Sequence, residues 1–477
     1  MHTFLWHDYE TFGKSTRTAR PAQFAGIRTD EQLNEIGEPI EVFCQPAPDF
    51  LPEPEACLIT GITPQYCLKH GVPEHEFAER VLKALSQPNT IGVGYNTIRY
   101  DDEITRFMFW RNLIDPYARE WQNGCGRWDI IDLARVTYAL RPEGIEWPRN
   151  EQGKISFKLT DLTEANHIVH EAAHDAVSDV RATIALAKLI KDKQPRLFDF
   201  YFNLRQKDCV NDEIGMHLNP RQPFLHLSSM FPSERAHLAL VFPLGMHPSN
   251  KNEVIVWDCA YDPSELFELD AATIQKRMFT RSDELPDGLA RLPIKTIHTN
   301  KSPVVIRNLK VLDVAAQQRC SLDLALNLRH AAIAAEKILR VDLSLIWQKV
   351  FQREFELGDV DESLYSGFVG NNDRSLLNKL RALSPQVLAQ AQPHFADARL
   401  AELLFRYRAR NYPQTLSEDE YAAWQQHCSV RLHGGAAGAL NFEAFFAELD
   451  RLAQGNSANV DVLQSLRDYA YMIAPES

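Results

Sequence analysis

Along the first part of the chain, short runs dense in β-branched and aromatic residues alternate with stretches whose apolar positions recur at helical spacing. Residues 3–9, 22–29 and 40–45 read as strands between turn signals, and TIGVGY at 90–95 reads as a buried strand. Helical spacing fits 75–86, about 101–113, 129–140, 157–165 and roughly 175–191, and the proline-rich text from Pro46 to Pro54 is a loop. Three strands, a crossover, another strand and packed helices predict an α/β layer architecture. QPRLFDFYF at 194–202 closes this unit. From about 203 to 310, strand-like pieces such as FLHLSSMF, HLALVFPL and EVIVWDC alternate with Pro, Asn and Asp turns, which predicts a small β-rich domain. From about 316 onward the pattern is helical, as in LDLALNLRHAAIAAEKIL, ARLAELLFRYRAR and NFEAFFAELDRLAQ. The expected division is 1–194, 195–348 and 349–477.

At 477 residues the chain is too long for one hydrophobic core, which agrees with several domains. No run of eighteen apolar residues exists, so no membrane span is expected. The opening MHTFLWHDYE lacks the basic and apolar regions of a signal peptide. The 8 cysteines are scattered without a C-x-x-C pair. That pattern argues against a zinc site or a disulfide framework and fits reduced thiols in a cytoplasm. Net charge is −13, which disfavours a protein that coats nucleic acid through bulk positive charge. It weighs less against a nuclease, which gathers carboxylates for metals and confines its arginines to one groove.

Asp8 and Glu10 share a face of the first strand, because i and i+2 residues point the same way. Two adjacent carboxylates repel and raise each other's pKa, so the arrangement calls for a cation, and oxygen-only ligands suit Mg²⁺ or Mn²⁺. Asp101 follows GYNTIRY at the start of a helix after a buried strand, where ligands collect in α/β sheets. In HDAVSD at 174–179, a five-residue offset spans about 140° on a helix, so His174 and Asp179 would not share a helical face. The pair makes sense with Asp179 on the helix and His174 at or before its start, free to deprotonate an attacking water. Taken singly, each of these has a plainer explanation: solvated strand ends, acids favoured at a helix N-terminus, a structural histidine.

The conjunction resembles the DEDDh family of 3′–5′ exonucleases: D-x-E on the first strand, a later Asp, then H-x-x-x-x-D. Further segments are similar to the bacterial exonuclease I family. They are HDYETFG at 7–13, RPAQFAGIRTD at 20–30, LITGITPQ at 58–65, GYNTIRYDDE at 94–103, YALRPEGIEWP at 138–148, AHDAVSDV at 173–180, QPRLFDF at 194–200 and LLFRYRARNYPQTL at 403–416. The resemblance implies an RNase H-like exonuclease domain with a mixed sheet flanked by helices, an SH3-like β-rich domain and an all-α C-terminal domain. It also implies processive 3′ to 5′ degradation of single-stranded DNA to mononucleotides, in repair and recombination, by a monomer whose groove encircles one strand. Asp8, Glu10, Asp101 and Asp179 would then hold two Mg²⁺ ions, with Mn²⁺ as substitute, and His174 would be the general base.

The same resemblance suggests that Glu10, Arg106, Tyr117, Trp121, Arg135, Asn252, Lys295, Arg307 and Tyr365 contact DNA, through stacking aromatics and phosphate-pairing cations. Lys158 stands where the family usually has arginine, keeping the charge but losing the bidentate fork. Family members also bind the acidic, Phe-ended tail of single-stranded DNA-binding protein, and Arg141 with Phe200 would form part of that pocket. Where a relative has a lysine near residue 222, this chain reads Arg221-Gln222. A DEDDh ribonuclease or proofreading subunit is the enzymatic rival, but such chains are little more than the nuclease core. A DNA-binding adaptor with structural acids is the non-enzymatic one.

Overall fold

The computed structural model describes residues 2–170, 175–352, 358–435, 439–455 and 460–475. It divides into two compact units: Met1–Gly126 with His170–Ile184 and Phe355–Ser477, and Arg127–Val169 with Ala185–Glu354.

The first unit opens with β1 (Thr3–Thr11), β2 (Pro21–Thr29), β3 (Ile40–Phe43), α1 (Pro54–Thr60), α2 (Pro64–His70), α3 (Glu74–Leu85), β4 (Thr90–Gly94) and α4 (Asp101–Arg111). Its strands are ordered β3-β2-β1-β4, with β1 antiparallel to β2 and parallel to β4. The mixed sheet is that of an α/β layer, as the sequence pattern predicts. β1 and β2 are buried along nearly their whole length, as expected of strands covered on both faces. Leu5 and Tyr9 of β1 share a core with Phe24, Val42, Phe77, Val81, Ile104, Met108 and Phe109, so α3 and α4 pack on the face that Tyr9 enters. At the end of β1 the ladder with β2 shifts register between Glu10 and Thr11. Such an irregularity re-aims side chains at a strand end.

β5 (Gly126–Asp129), α5 (Ile130–Leu140), α6 (Leu159–Ala165) and α7 (Ala176–Lys193) follow, with β5 and α7 each crossing a boundary between the units. The second unit continues with α8 (Pro195–Asn203), α9 (Lys207–Ile214), β6 (Phe224–Leu227), β7 (Leu238–Met246), β8 (Glu253–Asp258), α10 (Ala271–Phe279), β9 (Ile294–His298), β10 (Val304–Ile306), α11 (Val314–Arg319), α12 (Leu324–Ile338) and α13 (Ser344–Val350). The five strands form an antiparallel sheet ordered β10-β6-β7-β8-β9. Its ladder is interrupted between Pro243 and Gly245, where a Cβ on Gly245 would sit 3.3 Å from the Trp347 indole nitrogen. Glycine there lets α13 approach the strand.

The C-terminal helices α14 (Asn371–Arg381), α15 (Pro385–Ala389), α16 (Arg399–Asn411), α17 (Glu418–Gly434), α18 (Phe442–Gly455) and α19 (Val460–Ile473) belong to the first unit. They bury Trp424, Phe445 and Leu466 with Phe12, Ala22 and Phe50, and Leu400 and Tyr407 with Phe107 and Trp110. Among the described residues no helix is long and apolar enough to cross a membrane. The described cysteines are free thiols, buried except for the half-buried Cys209.

Candidate active site

The three acids Asp8, Glu10 and Asp179 converge: one ligand oxygen from each lies within 4.8 Å of the others. Strand alternation sends Asp8 and Glu10 to one face, and the first turn of α7 brings Asp179 to meet them. Burial, followed by the charge of Asp179, raises the Asp8 carboxyl well above the usual range. Burial, followed by Asp8, Asp179 and Asp175, pushes Glu10 up to about 9. Among the described residues neither Asp8 nor Glu10 has an ion-pair partner. Asp179 accepts a hydrogen bond from His170 Nε2.

Asp101 is the first residue of α4, buried to 2% exposure, and stands outside this three-carboxylate group. Asp101 opens α4, whose Ile104, Met108 and Phe109 pack in the core that Tyr9 enters. His174 lies outside the described residues. His170 is the histidine that sequence reasoning missed. Its offset of nine residues from Asp179 matches no motif, and only the fold of the segment before α7 reveals the contact.

Below the acids, Asp102 and Arg119 form a fully buried ion pair, and His7 Nε2 lies 3.3 Å from Thr97 Oγ1. Burial, then the nearby Arg119 charge, lowers the His7 pKa to about 4, so it is a neutral core residue.

Three expected DNA contacts gather in the first unit. Arg106 lies 5.3 Å from the Tyr117 ring, and its Nη1 donates to the Tyr365 hydroxyl at 3.1 Å. The same guanidinium pairs with Glu103 and Glu120 at 2.7 Å each, so a phosphate would have to compete with two carboxylates. Trp121 is 65% exposed, an open stacking face rather than a core residue. In the second unit, Arg135 pairs with Asp132 at 2.8 Å and lies over the Phe157 ring. Lys158 is exposed and lines an open polar cavity with Asp161 and Glu164. Asn252 accepts from Lys207 Nζ, the half-buried Lys295 ammonium has its pKa lowered by burial, and the Arg307 main chain and guanidinium both bond Glu213.

Arg141 and Phe200 line one cavity of about 440 Å³, with Leu140, Leu197, Ile306 and Val311. Arg221 does not line it; its Nη1 donates to the carbonyls of Pro243 and Leu244 beside a different cavity.

Three family models match in chain order: an exonuclease over 5–187, an exonuclease I SH3-like domain over 205–353 and an exonuclease I C-terminal domain over 358–473. The chain is 42% identical to exodeoxyribonuclease I of Haemophilus influenzae, with 98% of each chain covered. It is similar to the solved exonuclease I of Methylocaldum szegediense, at 46% identity and a TM-score of 0.93, covering 99% of this chain and 100% of that one. Escherichia coli exonuclease I in complex with a dA16 oligonucleotide matches at 41% identity, a TM-score of 0.93 and the same coverage. A zinc-bound E. coli complex with single-stranded DNA matches at a TM-score of 0.90 and 41% identity, covering 99% of this chain and 100% of that one. A complex of SSB, exonuclease I and an inhibitor matches at 0.89 and 40%, with the same coverage.

Proposed function

Because the chain belongs to the exonuclease I family, a family of DNA exonucleases, we propose that it degrades single-stranded DNA processively from the 3′ end and releases 5′-mononucleotides. The observation that carries this reading is the convergence of Asp8, Glu10 and Asp179 in a half-buried site that raises the pKa of the two strand acids. Crowded carboxylates of this kind are stable as anions only beside a cation, and all-oxygen donors suit a hard divalent ion. Asp8, Glu10 and Asp179 would hold one Mg²⁺, and Asp101 would share a second with Asp8. The chemistry such cations supply when bound is activation of a water nucleophile and stabilisation of the departing 3′ oxygen.

The protein's own groups do the rest. His174 takes the proton of the attacking water, and His170 fixes the Asp179 carboxylate by donating to it. Arg106, Tyr117, Trp121 and Tyr365 in the first unit, and Arg135, Lys158, Asn252, Lys295 and Arg307 in the second, hold the strand by stacking and phosphate pairing. The cavity with a guanidinium at Arg141 and an apolar wall at Phe200 has the chemistry for an acidic tail ending in Phe, such as that of single-stranded DNA-binding protein. Domain limits at 194/195 and 348/349, a monomeric state and a cytoplasmic role in repair and recombination complete the reading.

Labelled single-stranded oligonucleotides with a blocked 3′ or a blocked 5′ end test it. Mononucleotide release is expected with Mg²⁺, to stop with chelator, and to stop with the 3′ block alone. An Asp8→Ala variant with unimpaired release would overturn the assignment of the site.

A further inference from the structure

Two tyrosine hydroxyls tie the strand bearing Asp8 and Glu10 to the helix bearing Asp101. Tyr9 lies between the two acids and points to the opposite face, where its ring packs against Phe24 and Phe77. Its Oη meets Thr105 Oγ1 at 2.9 Å. Thr105 donates its own hydrogen to the Asp101 carbonyl at 2.8 Å, so Tyr9 is the donor in the first bond. A directed chain therefore runs from Tyr9 through Thr105 to the main chain of Asp101.

The second tie lies at the rim. Tyr100, the residue before Asp101, places Oη 2.6 Å from Thr11 Oγ1 and 2.9 Å from the Gly13 carbonyl. Thr11, the residue after Glu10, lies 2.8 Å from the same carbonyl, just past the register shift that ends regular pairing of β1. With one hydrogen on each hydroxyl, one of the two donates to Gly13 and the other donates to its neighbouring hydroxyl. Ring packing explains an aromatic at each position. It does not explain why both hydroxyls are committed to segments flanking the acids, since phenylalanine would fill the same space.

We propose that Tyr9 and Tyr100 are positioning residues that set the separation between the strand acids and Asp101, so that the second cation finds Asp101 already in register. The inference rests on the two-cation reading above. Asp101 stands outside the three-carboxylate group, so its ability to share a cation with Asp8 depends on how firmly the start of α4 is held. The inner bond holds the Asp101 carbonyl, and the outer one holds the residue before it.

The test is Mn²⁺ binding to the DNA-free protein, by paramagnetic resonance or calorimetry, in the wild type, Tyr9→Phe, Tyr100→Phe and the double variant. Thr105→Val breaks the inner chain without altering the ring and serves if Tyr9→Phe folds poorly. The double variant is expected to hold its first ion as the wild type does and its second about tenfold more weakly, the weight of about one net hydrogen bond. Under limiting metal, kcat should fall while KM for single-stranded DNA stays constant. A purely structural role would lower the melting temperature and leave the Mn²⁺ isotherm unchanged, and that result overturns the proposal. A wild type that binds a single ion removes the two-cation reading and this proposal with it.

Discussion

Two groups of buried carboxylates in the first unit have been treated in opposite ways. Asp49 and Asp361 are fully buried beneath the C-terminal helices. Burial alone would raise their pKa values, but Arg410, bonded to both, holds each well below the usual carboxylate range. Arg20, Arg406 and Arg431 reinforce Asp361 at 3.6, 3.4 and 3.9 Å, and His427 lies 3.4 Å from Asp49. Asp8 and Glu10 are also removed from water, yet no arginine or lysine among the described residues pairs with them, and their pKa values rise. Acids matched by guanidinium groups hold elements together. Acids left crowded without them are poised for a ligand that carries the missing charge.

The largest expected contrast comes from removing one charge at each place. Asp8→Asn should abolish nuclease activity, by on the order of 10³-fold or more in kcat, while leaving the metal-free protein as stable as the wild type or more so, because it relieves repulsion. Asp361→Asn should cost about 3–5 kcal/mol of stability in urea unfolding, since it leaves several arginines buried without their acid. The activity per folded molecule should survive. If the two variants exchanged phenotypes, the division between structural and functional acids would be wrong.

Asp179 sharpens the contrast, because among the described residues it alone of the three crowded acids has an ion-pair partner, in His170. His174→Ala should lower kcat by about 10²–10⁴-fold, the usual weight of general base catalysis, and flatten the acid limb of the pH–rate profile. His170→Ala should act through metal affinity, with a loss on the order of tenfold that excess Mg²⁺ restores. Equal, metal-insensitive losses in both would argue against the assignment of the base to His174.

The pH dependence of stability separates the two groups again. Glu10 is raised from 4.5 to about 9, so between those values the folded metal-free protein keeps a proton that the unfolded chain has lost. Stability then falls as pH rises through this window. Asp49 and Asp361 are lowered, so their contribution is present at neutral pH and is lost only as pH falls into the acid range. Thermal melts of wild type and Glu10→Gln between pH 5 and 9 should diverge, with the variant gaining as pH rises. Saturating Mg²⁺ should close the gap, since cation binding displaces the proton.

Much of this was legible in the chain. Strands at 3–9, 22–29, 40–45 and 90–95 and the helices near 75–86, 101–113 and 175–191 follow from apolar periodicity, and the described elements agree with them to within a few residues. The α1 and α2 helices were not legible because each has 7 residues and begins with proline, too short to show a period. β5, with 4 residues, fails for the same reason. Asp8 and Glu10 could be paired from strand alternation alone, but the distance of Asp101 from them could not. It depends on how the start of α4 is set against the end of β1, a tertiary fact. The arginine network was invisible for a related reason. Asp49, Asp361 and Arg410 are brought together across separations that no local pattern encodes.

Glu362 provides the finest test, because it belongs to the arginine network yet behaves partly like the crowded acids. Its carboxylate lies 3.6 Å from Arg431 Nη2. Burial nevertheless outweighs Arg431, and with Asp359 nearby its pKa is pushed up to about 7. It acts as a surplus acid, one whose burial its guanidinium neighbours do not fully offset. Below pH 7 the folded protein holds it largely protonated, so Glu362→Gln should resemble the wild type within about 1 kcal/mol. As pH rises from 4.5 through 7 the unfolded chain releases this proton before the folded one does, and the wild type loses that advantage while the variant does not. The stability difference should thus drift toward the variant across this interval and level off near pH 8. A difference that moved toward the wild type would show that Arg431 fully matches Glu362, and the network would then contain no surplus acid.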